Sequence, residues 1–473
     1  MNSRPSRLRT WAVVPAALMI FTACSGSATP SPVPVTAAPV TAVPVTAAPV
    51  TAAPVTAAPT VAATETVTAA PSEAATVVPS EAATAAPSAA GSPAPITKLV
   101  PNIDLSTIGG PGEGELDIIA WIGYAESGVN VPEYDWVTPF QTASGCQVKA
   151  KIDDTSDAMV TDMRQGGGSV YDGVSASGDA SNRLINNGDV AAIDVSKMPN
   201  FSDVAPFLQN APNYVVDGKH YGTPHGWGGN FLMYLTDVVT TAPTSWNVIF
   251  DPTASAPYQG QITDYDSAIY IADAALYLKA HNPDLAITDP YELTETQLTA
   301  AVDLLKQQAP WVGKYWAVYG DEIDNFTNGT TSIGTAWPYQ LNALQAAGVG
   351  VKSVVPSEGI TGWADTWMMS SHAKHPNCML KWMAWMLTPE VQAQVAEYFG
   401  EDPANPKACQ YLDKGYGSYA LPGFCTAYGV NDPSYYNSIG FWKTPSTDCG
   451  DSRGATCTDY SEWTTKWTEI RGS

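Results

Sequence analysis

Proline recurs at every fifth position from Pro34 to Pro54 in the repeat PVTAA, once as PVTAV. The same bias runs from Ser25 to about Ser92, where PSEAAT occurs twice. Proline at that spacing blocks both helix and sheet, and the intervening Ala and Thr offer little to bury. The segment is therefore expected to be a disordered tether, residues 25–95. In polyproline II form, at roughly 3.1 Å per residue, it would reach on the order of 200 Å. What can fold is then Ile96 to Ser473, more chain than one hydrophobic core usually supports, so two lobes are expected.

The tether follows a secretory signal. Arg4, Arg7 and Arg9 form a basic start and Trp11 to Phe21 an apolar run, too short to span a bilayer as a helix. The run ends in FTAC, which has the small residues of a lipobox before Cys24. Residues 1–24 are thus expected to act as a lipoprotein signal, with Cys24 lipidated and anchoring the protein to the membrane. An ordinary signal with a chance cysteine is the alternative. The expected location is extracytoplasmic, on the outer face of the cytoplasmic membrane, in a periplasmic space or at the cell surface.

A formal charge of −24 argues against nucleic acid or anionic lipid as partners and favours capture of small cations, although solubility alone also accounts for it. Besides Cys24 there are six cysteines, Cys146, Cys378, Cys409, Cys425, Cys449 and Cys457. In an exported chain these suggest up to three disulfides, whose connectivity the sequence leaves open. Five of the six follow residue 377, so the bridges are expected to staple the C-terminal third, with Cys449–Cys457 as a local closure. No CxxC spacing is present, so a zinc site is not expected, nor is any cofactor.

The run ELDIIAW (Glu115 to Trp121) and the alternating CQVKAKI (Cys146 to Ile152) read as strands. VPEYDWVTPFQTAS between them, TSDAMVTDMRQG, SAIYIADAALYLKAH, TETQLTAAVDLLKQQ and CMLKWMAWMLTPEVQAQVAEYFG read as helices. Such alternation predicts an α/β fold of mostly parallel sheets flanked by helices. Trp382, Trp385 and Met386 share one apolar helix face and are expected in the core. An enzyme finds little support. Five histidines are scattered, and GxSxG, HExxH and P-loop motifs are absent. SHAK (Ser371 to Lys374) has SxxK spacing but no companion elements.

One stretch asks for a ligand. In EGITGWADTWMM (Glu358 to Met369), Asp365 lies between Trp363 and Trp367 in a glycine-flanked apolar run. A carboxylate there is costly unless partnered. An ammonium would partner it, and aromatic rings would pack the attached chain and add cation–π attraction of about 0.5–2 kcal/mol per ring.

The pieces AWIGY, YDGVSASGD, DVSKMPNFSDV, YGTPHGWGGN, TSWNVIFDP…YQGQI, IGTAWP, PSEGITGWADTWMM and TPEVQAQVAE resemble, in order, the polyamine (spermidine/putrescine) substrate-binding proteins of ABC importers. The resemblance implies a type II periplasmic-binding-protein fold, two α/β lobes closing over a ligand. Lobe 1 would comprise about 115–234 and 362–425, lobe 2 about 235–361 and 426–473. It further implies that Trp121 and Tyr124 open the cleft, that Ser177 lies in the loop after the YDGV strand, and that Trp337 faces the ligand chain. Trp363 and Asp365 would box and neutralise an amine.

Three positions depart from the family pattern. Asp179 stands where a tyrosine is common. Tyr270, with Asp266 and Ser267 upstream, stands where the family has a glutamate, and Lys443 falls on a family glutamine. Asp179, Asp266 and Tyr270 are counted among the expected contacts, and "amine" is a firmer expectation than spermidine or putrescine. Expected partners are a small cation and an ABC permease, with the protein itself a monomer. Other readings are a binder of quaternary amines, opines or ferric iron (through Tyr435 and Tyr436), a secreted enzyme, or a wall-associated structural lipoprotein.

Overall fold

β-Branched and apolar runs form the expected strands. In the computed structural model Glu115–Ala120 pairs in parallel with Gln147–Ile152 and with Gly173–Ala176. The structure describes residues 99–450 and 454–472. The expected signal, Cys24 and the tether lie outside the described residues. Gly173–Ala176 pairs antiparallel with the strand Ile360–Met369, which pairs antiparallel with Gly222–Gly229. Asp402–Pro403 and Ile439–Phe441 complete a seven-stranded sheet. A second, five-stranded sheet runs in the order Val351–Val354, Phe231–Leu235, Ile333–Ala336, Ile262–Tyr265, Val312–Trp316. Both sheets are mixed, the second with its parallel pairs on one side, the first with Ile439–Phe441 also parallel to the otherwise antiparallel-paired Ile360–Met369.

The chain passes between the sheets at Asn230, where Gly222–Gly229 runs into Phe231–Leu235, and again between Val354 and Ile360. The result is a two-lobed molecule whose central strands meet at these crossings. Ile439–Phe441 adds to the first sheet, whereas the last helix, Tyr460–Arg471, is tied to the second by Trp467 Nε1 donating to Asp266 at 2.9 Å. Among the described residues no helix is long and apolar enough to cross a membrane.

Two helices differ from expectation, each because of proline. VPEYDWVTPFQTAS is helical only over Val137–Ser144. Pro139 is tolerated in a first turn but would clash with the carbonyl four residues earlier if the helix began sooner, and Asp135 accepts the Thr138 N–H there at 2.8 Å. The long run from Cys378 divides into Pro376–Met386 and Pro389–Val395, broken at Pro389, with Thr388 Oγ1 donating back to the Trp385 carbonyl. The second piece ends in a π-helical turn, Ala396–Gly400. Trp382, Trp385 and Met386 are fully buried.

The disulfides are Cys146–Cys378, Cys409–Cys425 and Cys449–Cys457. The last is the expected local closure. The first corrects the expectation that the bridges staple only the C-terminal third. It joins Cys146, beside the edge strand of the first sheet, to the helix Pro376–Met386.

Candidate functional site

The strand Ile360–Met369 is buried at every position except its last, because it is central in its sheet and covered on both faces. Its register against Gly222–Gly229 slips between Ala364 and Thr366. An irregularity of this kind re-aims one side chain, here that of Asp365. Asp365 is 3 % exposed and accepts two hydrogen bonds, from Ser177 Oγ at 2.6 Å and Tyr124 OH at 2.9 Å. Burial pushes its carboxyl up to about 7. The two hydroxyls oppose that rise and the nearby charge of Asp179 adds to it. Among the described residues neither a lysine nor an arginine forms an ion pair with it.

The hydroxyls come from two different elements. Ser177 follows the strand Gly173–Ala176 and stands at the start of the helix Gly178–Asn186, yet donates its hydroxyl to Asp365 and does not cap that helix. Tyr124 follows the strand Glu115–Ala120, and its ring lies 3.8 Å from that of His225 and edge-on to Phe399.

The same Tyr124 hydroxyl lies 3.3 Å from Glu401 Oε2. A phenol has one proton, so it donates to Asp365 while Glu401, raised well above the usual carboxylate range by burial and by Asp365, supplies its own. His225 is held neutral, its pKa pushed down to about 3 by burial. Its Nδ1 faces the Trp367 indole N–H at 3.0 Å. An indole only donates, so the imidazole proton sits on Nε2, the nitrogen 3.4 Å from Glu401 Oε1.

Two glycines make room for this arrangement. A Cβ on Gly226 would collide with the Glu401 carboxyl, and one on Gly228 would stand 2.7 Å from Trp363 Cζ2. Trp363 therefore lies against bare backbone, 5 % exposed, with its Nε1 unpartnered and its ring edge-on to Phe399. Trp121, at the end of its strand, takes Ser175 Oγ on its backbone N–H and also leaves its Nε1 unpartnered.

The other expected residues divide. Asp179 is buried, accepts from Ser156 Oγ at 2.9 Å, and is pushed up to about 6 by burial. It acts on Asp365 through its charge, without contact. Trp337 starts the helix Pro338–Ala346 and packs edge-on against Trp316 and Tyr265. With Tyr270 and Trp442 these rings line a small cavity between the sheets. The hydroxyl of Tyr270 donates away from that cavity, to Asp264 at 2.6 Å. Asp266 is turned aside altogether, accepting from Trp467 Nε1 and from Arg471 Nε at 3.1 Å. Lys443 pairs with Asp289 at 2.9 Å and with Glu292, so its charge is matched within its own neighbourhood.

Sequence reasoning missed Glu401, His225, Asp273 and Trp442. A signal existed for Asp273, the lone acid in the apolar run IYIADAALYL, by the logic applied to Asp365. None existed for Glu401, whose setting depends on Gly226 and the π-turn. Elsewhere Asp117, Asp172 and His375 have the mutual spacing of metal ligands. Asp172, however, accepts from the backbone N–H groups of Asp117, Lys374 and His375 and faces His375 Nδ1 at 2.8 Å, which makes it the cap of a turn. Ser371 of the SxxK spacing donates to the Gly188 carbonyl, and Tyr436 is stacked on Phe207.

The arrangement is a desolvated acid held by a serine and a phenol hydroxyl, two positions along its strand from the buried indole of Trp363, a form suited to holding a cation. Similar proteins exist. The spermidine/putrescine-binding periplasmic protein of Escherichia coli K12 is 26% identical over 274 residues, 58% of this chain and 74% of that one. A putrescine/cadaverine-binding protein of Pseudomonas aeruginosa is 24% identical over 290 residues, 59% of this chain and 78% of its own. Among solved structures, the Streptococcus pneumoniae spermidine/putrescine ABC transporter substrate-binding protein superposes with a TM-score of 0.58 at 20% identity, covering 76% of this chain and 98% of that one. An Agrobacterium tumefaciens binding protein in complex with glucopine gives 0.57 at 15%, covering 76% and 99%. At such identities the structures establish the two-lobed fold alone. The sequence pattern of the family described as bacterial extracellular solute-binding protein matches residues 135–419, more than half of the chain. This protein belongs to that family.

Proposed function

We propose that the chain is the binding component of an ABC importer, capturing a small organic cation of the polyamine class outside the cytoplasm and handing it to a membrane permease. The observation that carries this reading is Asp365, a buried carboxylate held by two hydroxyls, with no basic side chain among the described residues paired to it. Desolvating an acid without a counter-charge is unfavourable, and a bound ammonium would supply that charge through a charge-assisted hydrogen bond, roughly twice as strong as a neutral one. Trp363, Trp121 and Tyr124 provide the apolar flank that a methylene chain needs. The polyamine names carried by relatives such as the Escherichia coli and Pseudomonas aeruginosa proteins support the same class.

The role is one of binding, not catalysis, with the ligand enclosed by lobe closure and the closed form preferred by the permease. We further infer that a lipid on Cys24 anchors the protein, which works as a monomer on a long tether. Mass spectrometry of the membrane fraction should find an N-terminal, lipid-modified Cys24, and an unmodified secreted chain would end that part of the proposal.

A thermal-shift panel of putrescine, spermidine, spermine, choline, glycine betaine, an opine and ferric citrate tests the ligand class. A ligand at 100 times its Kd adds about 2.7 kcal/mol of stability, enough to move Tm by several degrees. A shift with linear polyamines alone is expected. A shift only with an opine, a quaternary amine or iron would keep the fold and overturn the ligand.

A further inference from the structure

His225 lies on the strand Gly222–Gly229 and is fully buried. Its backbone carbonyl accepts from Gln392 Nε2 at 2.7 Å, and its ring is packed against that of Tyr124, so the imidazole is held in one orientation. With Nδ1 taken by the Trp367 indole N–H, the ring proton stands on Nε2. Nε2 faces Glu401 Oε1 at 3.4 Å and has no closer partner. The other oxygen of Glu401 lies 3.3 Å from Tyr124 OH, whose proton goes to Asp365. Glu401 is placed there by two local features. It follows the π-helical turn Ala396–Gly400, which ends with Gly400 at φ 79°, and its carboxyl fills the space that a side chain at Gly226 would take. A π-turn of this kind often marks a functional site.

We propose that His225 is a positioning residue of the amine site, acting on Asp365 through Glu401 and Tyr124. The inference rests on the amine reading of Asp365 and adds to it a residue that acts only through others. The donors form one directed series, from Trp367 to His225, from His225 to Glu401, from Glu401 to Tyr124 and from Tyr124 to Asp365. Because the imidazole N–H faces Oε1, the Glu401 proton belongs on Oε2, where it turns to the phenol oxygen. The single phenol proton is then committed to Asp365. Without His225 the Glu401 proton is free to stand on either oxygen, and Tyr124 divides its proton between two carboxyls. Hydrogen bonds in series polarise one another in a low-dielectric interior, and a series that ends on a carboxylate favours its charged form, the form that receives an ammonium.

The other titratable groups around this series offer no substitute. Asp179 acts on Asp365 and Asp402 on Glu401, both acids, and the phenols of Tyr265 and Tyr428 lie near them. Among the described residues no lysine or arginine pairs with His225, Glu401, Tyr124 or Asp365. The donors of this series, with Ser177, are thus the groups that oppose the burial of Asp365.

Calorimetric titration of the full chain with spermidine, from about pH 6 to about pH 8.5, tests this. His225→Phe keeps a ring beside Tyr124 and removes the donor, while His225→Gln returns an N–H towards Glu401. His225→Phe should move the midpoint of the affinity profile upward by about one pH unit, so that binding is about tenfold weaker near pH 6 and the gap to the wild type nearly closes by about pH 8.5. His225→Gln should stay close to the wild-type profile. An unshifted midpoint, or a loss that is the same at every pH or the same in both variants, would overturn the proposal. If His225→Phe does not fold, Glu401→Leu should shift the midpoint in the same direction. Glu401→Gln, whose amide can accept from His225 and donate to Tyr124, should not, and equal profiles for these two would overturn the proposal. Carboxyl-carbon NMR titration of the ligand-free protein, with Asp365 assigned by its loss in Asp365→Asn, reads the same upward shift without an amine. Its absence would overturn the series, whereas its presence in a protein that binds no amine at any pH would overturn the amine reading and leave the series standing.

Discussion

Asp365 has to be ionised to hold an ammonium, and its pKa lies near 7 because it is buried. Below that value the carboxyl is neutral, so amine affinity should fall as the pH drops from about 8 to about 5. Calorimetry across this range checks the sign, and a flat profile would contradict it. Glu401, raised well above the usual carboxylate range by burial and by Asp365, should contribute little to that slope, so Glu401→Gln should keep the pH dependence. What was legible at this scale is that Asp365 is a carboxylate needing a partner, because it lies between two indoles in an apolar run that is buried on folding. For Asp266 and Tyr270 the sequence did not show their partners. Both are polar groups near the cleft, but Trp467, Arg471 and Asp264 take up their hydrogen bonds, partners distant in sequence or hidden by folding.

The strands and helices set the spacing that those residues need. Gly228 is bare because Trp363 lies on it, so Gly228→Ala should destabilise the protein by about 1–3 kcal/mol through overpacking and weaken amine binding by displacing that ring. Thermal melts with and without spermidine would register both effects, and unchanged melts would contradict the packing described. Loss of disulfides should cost stability in order of the loop closed, Cys146–Cys378 most and Cys449–Cys457 least, within about 2–5 kcal/mol each. Cys→Ser pairs compared by denaturant unfolding check that order. Strand and helix types were largely readable from periodicity. The ends of Val137–Ser144 and the break at Pro389 were not, because a hydrophobic pattern continues through a proline that the backbone cannot follow. The Cys146–Cys378 bridge was likewise hidden, since spacing alone does not reveal which distant segments become neighbours.

Among the described residues several acids are buried and shifted upward. Asp179 is raised to about 6, Asp264 and Asp365 to about 7, and Asp273 and Glu397 to about 8. Each binds its proton more tightly folded than unfolded. The associated stability is fully present below the unfolded values near 4 and is lost as the pH rises through 6 to 8. The ligand-free protein should therefore melt at a higher temperature near pH 5 than near pH 8, and bound amine should narrow the gap by matching the charge at Asp365. A ligand-free melting temperature that rises steadily over this range would contradict it. The two-lobed form was legible from strand–helix alternation and from resemblance, while the depth at which the acids lie was not, because burial belongs to the packed lobes.

The central claim is that Asp365 is the counter-charge for a bound amine. Its most direct test is the calorimetric affinity of the full chain and of its Asp365→Asn variant for spermidine, with thermal melts confirming that both fold. The account predicts measurable binding by the wild type and a loss of more than about tenfold in the variant, a difference above about 1.4 kcal/mol. Equal affinity in two folded proteins would remove Asp365 from the site and contradict the account.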